Sequence, residues 1–304
     1  MNILKKSTIL ITFIGLISFS ACYLPEKSEL DRNRVISERE IEQYLRERNL
    51  IAQRTSSGLY YVVKQNAGNP RRVEVGEQIT MHYIASLLSG RIFDSTSVAN
   101  NKPLTFAYSN NLALFPLGVR EGLKLIGTGD RVLLLLPSHL GFASVQGGVP
   151  RDLISIVPPF APLLYDITFL SIKSETELIE DYIREKGLTV NRRTESGVYV
   201  IERLLGNTGK KPENNNKVRV NYVGRFLDDR IFDQVNNFEL TVRDGKLTGR
   251  IIKAWDEVVP NLEKGDKVTI ICPSETAYGA NGTTNIPPFT PLVFDIEMVD
   301  IITP

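Results

Sequence analysis

Cysteine and histidine are nearly missing from this chain, with two of each in 304 residues. Two cysteines, Cys22 and Cys272, cannot build a disulfide framework. The histidines, His82 and His139, fall one in each of two strand-like segments and read as structural residues, so neither a metal site nor a cofactor is expected. An excess of either charge is missing as well: 36 Lys and Arg stand against 35 Asp and Glu, a net charge of +1. No net field draws the chain to nucleic acid or to an acidic membrane surface, and nucleic-acid binding is set aside. What is present is ordinary globular composition, 42% hydrophobic and 23% charged, over a length that suits two domains.

The first residues read as a leader. Lys5 and Lys6 precede an apolar run from Ser7 to Phe19, and small residues follow. That run is 13 residues long, short of the roughly 20 that a spanning helix needs. Its ending, FSAC, resembles the bacterial lipobox, which implies lipidation of Cys22 and a membrane anchor in the cell envelope, on the periplasmic side or at the outer membrane. With Cys22 modified, Cys272 has no partner, and its place in the apolar run KVTIIC reads as a buried small hydrophobe. Residues 22–36 are charged and without periodicity, and are expected to be a tether.

Beyond the tether the chain repeats itself. RIFD occurs at Arg91–Asp94 and again at Arg230–Asp233. IEQYLRE answers IEDYIRE, SSGLYYVV answers ESGVYVIE, MHYIASLLSGRIFD answers VNYVGRFLDDRIFD, and VPPFAPLLYDI answers IPPFTPLVFDI, all in one order. Domains are therefore expected at 37–173 and 174–304, after a leader at 1–21. Ser37 with Glu40 and Ser174 with Glu177 each predict a capped helix start. Short Val-, Ile-, Leu- and Tyr-rich segments bounded by Gly, Asn, Asp or Pro predict strands. In IIKAWDEVVPNL, the residues Trp255, Val258, Val259 and Leu262 form one helical stripe, with Pro260 set to end or distort the helix. Runs of strands with one packed helix predict an α+β fold.

VNYVG, RIFD, IIKAWDE, AYG and IPPFTPLVFDIEMV, in that order, resemble the FKBP-type peptidyl-prolyl cis/trans isomerases over most of the second unit. The resemblance implies an antiparallel sheet of about five strands wrapped around a short helix, with an aromatic pocket between them. It places Tyr222, Phe232, Asp233, Phe238, Ile251, Ile252, Tyr278, Ile286 and Phe294 around a floor made by Trp255. It also implies that the Ile252 amide and the Tyr278 hydroxyl hold the carbonyls flanking a proline, with Asp233 acting through Tyr222. Thr283 or Thr284 stands where the family often has histidine. Such a pocket needs no acid, base or metal: rotation about an X-Pro bond is slow because it breaks amide resonance, and water-poor surroundings favour the twisted amide.

The first unit keeps Tyr83, Phe93 and Asp94 but departs elsewhere. Val119 aligns with Trp255, Phe142 stands for Tyr278 without its hydroxyl, and Tyr165 replaces Phe294. A valine floor loses roughly 100 Å² of contact, on the order of 2–3 kcal/mol, against about 1 kcal/mol for the hydroxyl. The first domain is thus expected to be a degenerate copy. The whole is expected to be an isomerase acting on proline-containing segments of exported proteins, with a non-catalytic chaperone or partner-binding envelope lipoprotein as the alternative.

Overall fold

A computed structural model describes residues 28–96, 100–109, 114–144, 152–153 and 155–303. The leader and Cys22 lie outside them. The first unit runs α1 (Glu29–Glu47), β1 (Gln53–Arg54), β2 (Tyr60–Gln65), β3 (Gln78–Leu87), β4 (Ile92–Ser95), β5 (Leu104–Ala107), α2 (Leu117–Leu123), β6 (Arg131–Leu136) and β7 (Leu163–Lys173). The second runs α3 (Glu175–Glu185), β8 (Arg192–Arg193), β9 (Tyr199–Leu204), β10 (Lys217–Phe226), β11 (Ile231–Arg243), β12 (Lys246–Leu247), α4 (Lys253–Val258), β13 (Lys267–Cys272) and β14 (Leu292–Ile302). Both are α+β. Each unit forms one seven-stranded sheet, in the order β1-β2-β6-β7-β3-β4 with β5 also on β3, and β12-β11-β10-β14-β13-β9-β8. Every pairing between these strands is antiparallel. The resemblance predicts about five strands; two-residue edge strands account for part of the excess.

Both faces of each sheet are covered, which explains why strands such as RVLLLL read as continuous apolar runs. Val132, Leu134 and Leu136 of β6 point into the core around α2, while Leu133 and Leu135 join Ile41 and Leu45 of α1 on the other face. In β13, Val268, Ile270 and Cys272 face α4, and Ile271 meets Ile179 and Tyr182 of α3. Burial pushes the Cys272 thiol up to about 12, in keeping with its place as a core side chain. The repeat extends to irregularities. The β3–β7 ladder shifts register between Thr80 and Met81, and the β10–β14 ladder between Arg219 and Val220, both 139 positions apart. Such a bulge re-aims the side chains beyond it. As a result Tyr83 and Tyr222 sit at the same place in their sheets, opposite Ile167 and Ile296.

The helix starts differ from the sequence expectation at one end. Ser174 makes a capping box with Glu177, as its spacing predicts. Ser37 does not cap α1. That helix begins at Glu29 under Ser28, so residues 29–36 are helical and not a tether. Ser37 lies inside the helix, donates to the Arg34 carbonyl and accepts the backbone N–H of Ser138. Glu175 does the matching work in the second unit, accepting the N–H of Ser274. His82 and His139 contact Thr96 Oγ1 at 3.0 Å and the Ser57 carbonyl at 2.8 Å.

The units meet through Arg71, whose guanidinium donates to both Glu177 carboxylate oxygens at 2.8 and 2.7 Å and to Glu77 at 2.6 Å. The ring of Phe289 packs against Gly76. Arg71, with further help from the Ser174 backbone, holds the Glu177 carboxyl down at about 2. A depressed carboxylate stabilises the fold above its ordinary value of about 4.5, and that contribution disappears as pH falls through the folded value. Arg71→Gln is therefore expected to lower stability at pH 7 by about 1 kcal/mol or less, since the pair is half exposed. Denaturant titrations should show the deficit shrinking between about pH 4.5 and 2. A deficit independent of pH would assign it to lost packing.

Candidate active site

Three elements converge on one side of the second sheet. The β10 strand carries Tyr222 on its inner face, and β11 returns beside it with Asp233 and Phe238, the latter opposite Val220. Helix α4 then crosses the sheet with Trp255 as its third residue, and Ile252 stands at its N-cap. Pro260 ends the regular helix as expected, by turning Val259–Asn261 into a 3₁₀ turn. Trp255, Val258, Val259 and Leu262 are all buried, which is the stripe covered by the sheet. From the far side, β14 brings Phe294 opposite Gly224. Only a residue without Cβ fits there, because a Cβ on Gly224 would come within 2.7 Å of the Phe232 ring.

The result is a hollow of about 210 Å³ lined by Tyr222, Asp233, Phe238, Arg250, Ile251, Ile252, Trp255, Tyr278 and Phe294. That is nearer the size of one side chain than of a drug-sized ligand. Trp255 meets Tyr222, Phe294 and Phe238 edge-on at centroid separations of 4.9, 5.7 and 6.4 Å, geometry that the ring quadrupoles favour. The Tyr222 hydroxyl donates to Asp233 at 2.7 Å. Burial first, and then this bond, push Tyr222 well above the usual tyrosine range. Burial and the Asp233 charge also raise Tyr278, which is therefore a neutral donor at physiological pH. Among the described residues, nothing accepts a hydrogen bond from the Tyr278 hydroxyl or the Ile252 N–H, and the buried Trp255 indole N–H also has no acceptor.

Two residues that the sequence places in the pocket are outside its lining. Phe232 stands behind Phe294, edge-on at 5.6 Å, and Ile286 is packed into the core. Thr283, one of the two threonines that the resemblance sets where histidine often stands, closes a turn with Ile286: its N–H donates to the Ile286 carbonyl at 2.7 Å, and its hydroxyl accepts the Ile286 N–H. Arg250 is the lining residue that sequence reasoning missed. It lies in an irregular segment whose spacing carries no signal.

The first unit repeats the polar pair, with Tyr83 donating to Asp94 at 2.6 Å. Its floor differs from the expectation. Val119 does occupy the helix position of Trp255 and is fully buried. The space of the indole, however, is taken by Phe115, whose ring lies 5.4 Å from Tyr83, 5.7 Å from Phe106 and 6.2 Å from Tyr165. Phe93 bridges Phe142 and Tyr165. The first pocket is thus filled by a ring from the preceding turn instead of being left with a shallow valine floor. Tyr83 is 8% exposed where Tyr222 is half-buried, and Phe142 is half-buried where Tyr278 is 37% exposed, while Phe115 and Tyr165 are as buried as Trp255 and Phe294. Pro116 also caps α2 where Ile252 caps α4, and proline has no N–H to donate.

Fold and site together define a duplicated sheet-and-helix domain with one aromatic cavity, open in the second copy and filled in the first. The family model for FKBP-type peptidyl-prolyl cis-trans isomerase matches residues 69–170 and 208–299. The chain belongs to this family. Peptidyl-prolyl cis-trans isomerase FKBP10 of Mus musculus is 26% identical over 236 residues, which is 77% of this chain and 36% of that protein. FKBP-type peptidyl-prolyl cis-trans isomerase FkpA of Escherichia coli is 34% identical over 128 residues, 41% of this chain and 44% of that protein. The chain thus spans well under half the length of these relatives. The crystal structure of a peptidyl-prolyl cis-trans isomerase from Pseudomonas syringae shows 35% identity, covering 42% of this chain and 92% of that one with a TM-score of 0.35.

Proposed function

We propose that the second domain catalyses cis/trans isomerisation of X-Pro bonds in exported polypeptides, with the first domain as a structural or weakly peptide-binding copy. The observation that carries this reading is the combination on one small hollow of an indole floor and two unengaged donors, the Ile252 N–H and the Tyr278 hydroxyl. The prolyl ring would lie on Trp255. The amide, removed from water among aromatic rings, loses part of the solvation that favours its planar, polar form over the twisted one. The donors hold the flanking carbonyls, so the groups around the rotating bond are fixed in advance. No proton moves and no covalent bond forms; the barrier to be lowered is the ~18–20 kcal/mol of amide rotation.

Lipidation of Cys22 would hold this activity at an envelope membrane, where newly exported chains emerge. The test is proline-tetrapeptide isomerisation by the full chain. Tyr278→Phe is expected to lower kcat/KM about fivefold, the worth of one hydrogen bond near 1 kcal/mol, whereas Asp94→Asn in the first pocket leaves it unchanged. An absence of rate enhancement, with aggregation of an unfolded client still suppressed, would replace the enzyme by a non-catalytic peptide binder.

A further inference from the structure

The hollow of the second domain carries two charged residues, Asp233 and Arg250, among seven aromatic or aliphatic ones. Their situations differ. The Asp233 carboxylate already accepts the Tyr222 hydroxyl at 2.7 Å. Arg250 is exposed and makes no ion pair or hydrogen bond among the described residues. Arg219, Arg225 and Arg230 of this domain are committed to Glu239, Asp295 and Asp228, and Arg192 and Arg243, exposed like Arg250, lie outside the hollow. The guanidinium is held near the cavity by its neighbours in the chain. Gly249 turns the backbone at φ 110°, and Ile251 and Ile252 follow directly into the lining and the N-cap of α4. At the matching place before Phe115 and Pro116 the first domain has Leu114, 55% exposed, so the charge belongs to the open site alone.

A polypeptide that seats a prolyl side chain in a hollow of about 210 Å³ must carry its neighbouring residues across the rim. We infer that Arg250 is a specificity-determining residue that favours prolines with a carboxylate side chain within two positions on one flank. This rests on the second domain binding proline segments as proposed above. The guanidinium is always charged and offers paired N–H donors that match a carboxylate. It disfavours lysine at the same place by like-charge repulsion. An exposed pair of this kind changes binding by a factor of about 1.5 to 5, and attraction and repulsion together should separate Glu from Lys peptides by about three- to tenfold. Screening at 1 M salt should compress that ratio, since the Debye length there is only about 3 Å.

Trp255 is the only tryptophan in the chain, so its fluorescence reports occupancy whether or not turnover occurs. The experiment titrates the full chain with proline pentapeptides bearing Glu, Ala or Lys before or after the proline, at low and high salt, and measures isomerisation of the same peptides. The expected result is tighter binding of Glu than Lys on one flank, a ratio that falls with salt, and its inversion in Arg250→Glu. Equal affinities for Glu and Lys on both flanks, or a ratio that Arg250→Glu leaves unchanged, would overturn the assignment. Charge-ordered binding without catalysis would leave Arg250 in this role and reject only the isomerase reading. Catalysis with no charge preference would do the reverse.

Discussion

Trp255→Ala is expected to lower kcat/KM for a proline tetrapeptide by about 30- to 100-fold. The indole supplies the floor and touches Tyr222, Phe238 and Phe294. Truncation removes on the order of 100 Å² of contact with a prolyl ring, worth about 2–3 kcal/mol if that contact is kept in the transition state. The same residue is 4% exposed within the second core, so alanine should also cost about 3–5 kcal/mol of domain stability. Trp255→Phe separates the two effects. It keeps a flat ring and most of the packing, and should retain the fold with a smaller catalytic loss. A folded Trp255→Ala protein, verified by circular dichroism, that keeps native kcat/KM would remove the cavity from the reaction altogether.

Asp266→Ala is expected to destabilise the second domain by about 3 kcal/mol while leaving the first domain's transition in place. Asp266 is 5% exposed, and its two oxygens accept the N–H groups of Gly206 and Glu263, both at 2.7 Å. Charged acceptors make these bonds worth about 1.5–3 kcal/mol each, and their loss strands two partly buried donors. The position has a twin in Asp130, which accepts from Ala67 and Gly127, both at 2.8 Å. Each aspartate ties the start of its β6 or β13 turn to the segment leaving β2 or β9, so the long loop in each unit is fixed at its beginning. Asp266→Asn should recover little, because its amide would set a donor against one of the two N–H groups. Denaturant unfolding followed through Trp255, which lies only in the second domain, should move to lower denaturant, while far-ultraviolet dichroism, which sees both domains, should split into an early step that coincides with it and a later step left in place. A single dichroism step that shifts with the Trp255 signal would mean that the units unfold as one.

Much of this architecture is legible in the chain. Short runs rich in Val, Ile, Leu and Tyr, such as KVTIIC in β13, mark strands, and the stripe from Trp255 to Leu262 identifies the helix that the sheet covers. The spacing of Ser174 and Glu177 announces a capping box that the structure contains. The same pattern at Ser37 misleads, because a cap depends on what precedes it: residues 29–36 continue the helix upstream, and Ser28 takes the N-terminus. Asp130 and Asp266 escape notice for a related reason. Each has one backbone N–H partner three residues away and one about 60 residues away, and a backbone N–H has no residue-type signature.

The amino-acid order alone determined that the fold is duplicated and that a helix bearing the single tryptophan presents one apolar stripe, because periodicity and recurrence are properties of a linear string; the ring of aromatic residues around it came from the family resemblance. Which hollow is open was decided in three dimensions. Val119 and Trp255 occupy the same helix position, yet Phe115, four residues earlier, turns its ring into the first cavity, while Ile251 leaves the second to the indole. Close packing has no fixed sequence address: a void is filled by whichever neighbouring side chain has the volume and rotamer to reach it. The freedom of Arg250 is likewise a property of everything around it, since whether a charge is paired depends on residues brought near by the whole fold.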